Sequence, residues 1–513
     1  MNTLRNRREF LAEVGRGMLV TTVGLEVASG LGLATATAAE APETALTFGP
    51  LEPLVALMQE TPVAKLLPIL AGKLRAGTSL RDLTAAGALA NARTFGGEDY
   101  VGFHTMMALS PALHMSRELA APHAALPVLK VLYRNTNRIQ EHGGRKDEVL
   151  HPVVAGEGKL ADAIHARDAE GAERALATLC GSSFDAAFND LLAVVQDAGD
   201  VHRVVLPYRA WDLLELIGRD HALTMLRQSV RFCVKAEDWS NRAPHNEPRT
   251  LLPRLLEKHG LLGKQPGTKV ADDGWMEGFV KTLFTASAAE AAEAAAAALA
   301  EGIAPAAIGE AISLTANQLV LRDHGRTPRD EVTGKPLGSV HGDSIGVHAS
   351  DSANAWRNLA RVSNTRNTFA CLILGAWQVA KDRTERGGDF QKWEPLPVPY
   401  HLDSIKATDA ATLLGQLHEA VRGNLQARAA VVATRYGALG LDARPLFDVL
   451  LGYSVSEDGA LHAEKYYRTV SDDFAITRAS LRWRHVAGLA RVVASEFGRP
   501  AAGIAEAREL LKS

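Results

Sequence analysis

Histidines that open helices are the residues of this chain best placed to do chemistry. Four stretches share one pattern, in which a helix ends near a glycine, a second helix follows, and a histidine leads into a third. They are Gly102-Phe103-His104, Gly199-Asp200-Val201-His202, Val340-His341 with Gly346-Val347-His348, and Gly459-Ala460-Leu461-His462. The positive end of a helix dipole disfavours imidazolium, so a histidine in that position stays neutral and free to bind a metal. Equivalent positions in a quasi-symmetric helical array can converge on one point. Imidazole ligands suit iron, copper or zinc, with iron the first choice here. The expected metal ligands are therefore His104, His202, His341, His348 and His462.

The densest chemistry lies between residues 323 and 358. His348 and Asp351 stand three apart on one helical face, so Asp351 is expected to ligate the metal or to orient its histidine. Arg203 and Arg357 are expected to hold a substrate anion. His114 and Glu118 are spaced for a pair on one helical face, and Glu141-His142 with His151 reads as a polar helix end and turn. Gly342-Asp343-Ser344-Ile345-Gly346 matches the G-x-S-x-G nucleophile elbow in form. That motif needs a strand before the serine, whereas the upstream segment is loop-like. The sequence holds no HExxH, Walker A loop, Rossmann fingerprint or CxxCH haem motif.

The elements that must position these residues read as helices. Alanine-rich segments with period 3.6 run from Val63 to Leu74, Leu213 to Val230, Ile308 to Val320, Thr368 to Val379 and Leu481 to Val493. Ser79 followed by Asp82 begins a helix, and Ala286 to Ala300 is almost pure Ala and Glu. The expected fold class is all-α, a multi-helical array of quasi-repeated helix pairs. Its parts would be a signal over 1–38, a helical catalytic domain over 39–390 and a C-terminal helical segment over 391–513 packing on it, with the Pro-rich stretch at Trp393–Pro397 as the linker candidate.

Residues Asn6-Arg7-Arg8-Glu9-Phe10-Leu11, an apolar stretch and Ala36-Thr37-Ala38 look like a twin-arginine export signal. They imply export in the folded state to the periplasm or beyond, with the export machinery as a partner. The apolar stretch is too interrupted for a membrane span. The 56 basic and 59 acidic residues give a net charge of −3 and no long basic run, which argues against nucleic acid as a partner. The cysteines, Cys180, Cys233 and Cys371, are too few and too scattered for a disulfide framework and are expected to be small buried hydrophobes.

Phe103-His104 to Leu113, Val201-His202-Arg203 to Leu216 with Gly218 and His221-Ala222, Val340-His341 with Val347-His348-Ala349, and Trp377-Gln378 together resemble the questin oxidase-like family of all-helical proteins. The resemblance implies an oxygen-using oxidoreductase without flavin, acting on an organic small molecule, with His104, His202 and His348 as its functional positions. Two other readings stay open on the residues alone. One is a helical-repeat binding or scaffold protein without catalysis, whose histidines would be dispersed. The other is a hydrolase, either metal-assisted or using Ser344.

Overall fold

In the computed structural model, the described residues are 45–146, 148–240, 245–329, 337–340, 342, 344–385 and 390–512. The export motif, His341 and Asp343 lie outside them. Every regular element among the described residues is helical, as the alanine-rich periodicity requires, and two isolated bridges, Lys269 with Ile303 and Glu457 with Pro500, are the only β pairing. From Leu46 onward the chain forms a single unit. Among the described residues, no helix is long and apolar enough to cross a membrane.

Ten helices carry or brace the histidines. Three adjacent ones are α1 (Leu80–Phe95), α2 (Tyr100–Ser116) and α3 (Leu126–Glu141), and α4 (Val201–Ile217) runs on into α5 (Ala222–Ser240). A second layer holds α6 (Pro305–Arg322), α7 (Ile345–Val362) and α8 (Thr365–Glu385), and α9 (His462–Ile476) is followed by α10 (Trp483–Glu496). Local signals set several starts. Ser79 accepts a hydrogen bond from the Asp82 amide to begin α1, and Asp99, Asp200 and Ser344 do the same for α2, α4 and α7. The Ala/Glu tract begins later than its composition implies, at Ala288, because Ser287 and Glu290 form a reciprocal capping box.

Helices α2, α4, α7 and α9 form a closed ring in which each packs on the next: α2 on α4, α4 on α7, α7 on α9 and α9 back on α2. The contact of α7 with α6 is close because Gly346 is in it. A Cβ there would sit 2.6 Å from the Val320 backbone nitrogen. The helix α8 backs α7 through Trp356 Nε1, which donates to Gln378 Oε1 at 2.7 Å, while Gln378 Nε2 donates to Ser352 Oγ at 3.0 Å. The segment after Pro397 therefore supplies one wall of the ring, α9, to the helices before it.

Candidate metal centre

The histidine of each repeated unit sits in the first turn or so of a ring helix. His104 is the fifth residue of α2, His202 the second of α4, His348 the fourth of α7 and His462 the first of α9. Folding brings the four starts together. The His104 ring centroid lies 4.9 Å from that of His202 and 5.2 Å from that of His462. His348 lies 6.0 Å from His202 and 5.0 Å from His462. His104, His202 and His348 each bring a ring nitrogen within 4.8 Å of the other two, and His462 Nε2 is 3.1 Å from His348 Nε2.

The rings are held so that Nε2 faces inward. His104 Nδ1 donates to the Tyr100 carbonyl at 2.7 Å, one helical turn back, and His462 Nδ1 donates to the Ala460 carbonyl at 3.0 Å. Asp200 Oδ1 caps α4 by accepting from the His202 and Arg203 amides, and the same oxygen is 3.6 Å from His202 Nδ1. Orienting carbonyls and carboxylates of this kind fix the tautomer in metal-binding histidines. With Nδ1 protonated, Nε2 of His104 and His462 carries only a lone pair. The Nε2 atoms of His104 and His202 are buried with no hydrogen-bond partner among the described residues. A lone pair on His462 Nε2 only 3.1 Å from His348 Nε2 needs a proton or a cation between the rings. For metal–nitrogen bonds of ordinary length, two adjacent imidazole nitrogens stand about 2.9–3.4 Å apart, which this spacing meets.

Electrostatics favour the neutral, metal-binding form of His104. Burial, then the Lys465 ammonium and the neighbouring His202, push the His104 imidazole well below its usual range. Burial alone would raise Asp200, but its hydrogen bonds with His202 and the Arg203 amide outweigh that and hold the carboxyl at about 2.

The turn that delivers His462 is strained. Ala460 and Leu461 have φ of 47° and 66°, the left-handed region that costs residues with a Cβ of order 1–3 kcal/mol each. It persists because its surroundings pin it. Buried Lys130 donates to the Ser454 and Glu457 carbonyls at 3.0 and 2.5 Å and pairs with buried Glu464 at 2.6 Å. Gly342 packs so tightly here that a Cβ would lie 2.4 Å from that of His462, and its amide donates to Glu496 Oε1 at 3.0 Å.

The other expected site residues are distributed differently. Asp351 is buried one turn below His348 and accepts from Thr469 Oγ1 at 2.9 Å, under the histidine layer. Arg203 turns away from the cluster. It donates to the Val194 carbonyl at 2.7 Å and reaches Glu237 at 3.6 Å and Asp197 at 3.9 Å. His165, Asp197 and Glu237 also cluster closely enough for a metal, but Arg203 and Arg249 already neutralise them, with Arg249 Nη2 2.6 Å from Glu237, so this is an ion-pair web. Arg357 is an ion-pair partner of buried Asp473 and donates to Ser313 Oγ at 3.1 Å. Neither arginine faces the histidines. The pairing of His114 with Glu118 does not form either: His114 is 3.5 Å from Asp212, and Glu118 accepts from Arg444 and Tyr467. Ser344 caps α7 with its hydroxyl, 3.3 Å from the Val347 amide, with no strand before it among the described residues, so the nucleophile elbow is a sequence coincidence. Cys233 and Cys371 are buried and Cys180 is half-buried, all three free.

Sequence reasoning missed the aromatic mouth and the buried cations. Tyr100, half exposed, packs on His104 and His202 at 4.4 and 5.5 Å, and Phe103 stacks on His104 at 5.0 Å. A groove of about 800 Å³ bordered by Phe284, Arg322 and Trp483 lies apart from the histidines, none of which lines it. No family model, curated protein or solved structure matches the chain.

Proposed function

We propose that this protein is a metal-dependent oxidoreductase whose centre is the four-imidazole layer of His104, His202, His348 and His462. The carrying observation is that four helix starts, drawn from units spread along the chain, bring their imidazoles together, with Nδ1 of His104 and His462 anchored on backbone carbonyls and Nδ1 of His202 beside Asp200. A scaffold protein would gain nothing from gathering imidazoles of which His104 and His202 have a buried Nε2 without a hydrogen-bond partner among the described residues, since unsatisfied polar groups cost stability. Four imidazole ligands suit iron or copper and leave room for an exchangeable ligand. The likeness of the His104, His202 and His348 stretches to the questin oxidase-like family supports oxygen as the oxidant and an organic small molecule as substrate. The twin-arginine motif supports export after folding, hence a periplasmic or secreted enzyme that acquires its metal beforehand.

The test is reconstitution of the purified protein with ferrous, cupric or zinc ion. The proposal expects close to one tightly held equivalent of iron or copper, oxygen consumption by the loaded protein with ascorbate as reductant, and loss of both in His348→Ala. Binding of zinc alone with no oxygen consumption would overturn the oxidoreductase reading, and a protein that holds no metal would overturn the centre itself.

A further inference from the structure

Below the histidines, the ring does not have the apolar axis expected of packed helices. Stepping down by the helical repeat from His202 on α4 reaches Arg209 and then Asp212. From His348 on α7 the first step is Asp351, and from His462 on α9 the steps are Lys465 and Thr469. Lys465 is 2 % exposed and Arg209 is 1 % exposed. No hydrogen bond or ion pair joins the Lys465 ammonium to any described residue. Nε and Nη1 of Arg209 are buried without a hydrogen-bond partner, and its nearest carboxylate, Asp212 Oδ2, is 3.8 Å away. Charged groups withdrawn from water without hydrogen bonds cost several kcal/mol each unless something answers them.

We infer that the Lys465–Arg209 pair beneath the imidazole layer is a binding site for a small monoanion. It deepens the reading of the histidine layer as the functional centre, and it names the exchangeable ligand that the centre takes. Both cations lie beneath the imidazole layer, and both have donors that no described residue takes up. The carboxylates around the cations are engaged elsewhere: Asp351 accepts from Thr469, Glu464 pairs with Lys130, Asp212 accepts from Ser110, and Asp472 pairs with Arg468. Val205, Ala355 and Pro111 of the ring helices are buried as well, so the site is enclosed and suits a small anion.

The experiment has two arms. In metal-free protein, azide and formate should raise the melting temperature of the wild type, whereas benzoate should not. In Lys465→Met and Arg209→Met, azide affinity should fall at least tenfold. Because Met removes a buried charge that no hydrogen bond or close ion pair holds, Lys465→Met should fold at least as stably as the wild type. Lys465→Gln, which keeps a donor without the charge, should be intermediate and serves if the Met variant does not fold. In iron-loaded protein, an azide titration followed by its absorption band should weaken in the same order. Equal azide affinity in wild type and variants, or stabilisation by benzoate as strong as by azide, would overturn the anion site. Failure to bind iron would overturn the metal reading while leaving the metal-free arm to decide this one.

Discussion

Asp200 is the side chain through which the anchoring of the imidazoles can be tested most cleanly, because it does two separable jobs. It caps α4 through the His202 and Arg203 amides at 3.0 Å, and its carboxylate stands beside His202 Nδ1. Asparagine caps a helix about as well as aspartate. Asp200→Asn should therefore change the unfolding free energy of metal-free protein by under about 0.5 kcal/mol, while removing the charge that orients His202. Loss of such an orienting partner costs about 10–100-fold in metal affinity, or about 1.4–2.7 kcal/mol. Asp200→Ala loses both functions and should cost about 1 kcal/mol of stability in addition. Affinity would be read by competition with a chromophoric chelator, and stability by urea unfolding without metal. An asparagine variant that holds metal as tightly as the wild type would refute the orienting role. An alanine variant as stable as the asparagine one would refute the cap.

Three other outcomes are expected from the same geometry. Lys130→Met should lower stability by about 3–5 kcal/mol in urea unfolding, because it strands buried Glu464 and frees the Ser454 and Glu457 carbonyls, whereas adding Glu464→Leu should recover much of the loss. Ser344→Ala should cost about 1 kcal/mol as a lost cap and leave metal content and oxygen consumption unchanged, and abolished turnover with metal retained would instead favour a serine hydrolase. Burial pulls the His485 imidazole below its usual range, so the unfolded chain takes up a proton there that the folded chain does not. By linkage, stability should fall as pH drops below about 6.5, with a shallower fall between about pH 7 and 5 in His485→Gln, seen in urea midpoints.

How much of this was legible in the residues depends on the range of the interaction. Helices announced themselves through alanine content, period and caps such as Ser79 with Asp82, all of which act within one turn. The histidine layer was legible because the chain repeats one local pattern, helix, glycine, helix, histidine, and each repeat delivers its imidazole to the same end of its helix. Arg203 and Arg357 were misjudged because adjacency in sequence says nothing of direction. One residue past His202, the helical rotation sends Arg203 outward to Glu237, whereas Arg209, seven residues on, returns to the axis. The left-handed turn at Ala460 and Leu461 carried no sequence signal, since its conformation is imposed by distant Lys130 and not by glycine at those positions.

X-ray absorption at the metal edge of the purified, iron-reconstituted protein addresses the centre most directly. Convergent imidazoles predict a first shell of about three to four nitrogen scatterers near 2.1 Å with the outer-ring signature of histidine, reduced by one in His462→Ala. A shell made of oxygen alone, or one unchanged when His104, His348 or His462 is removed, would contradict it.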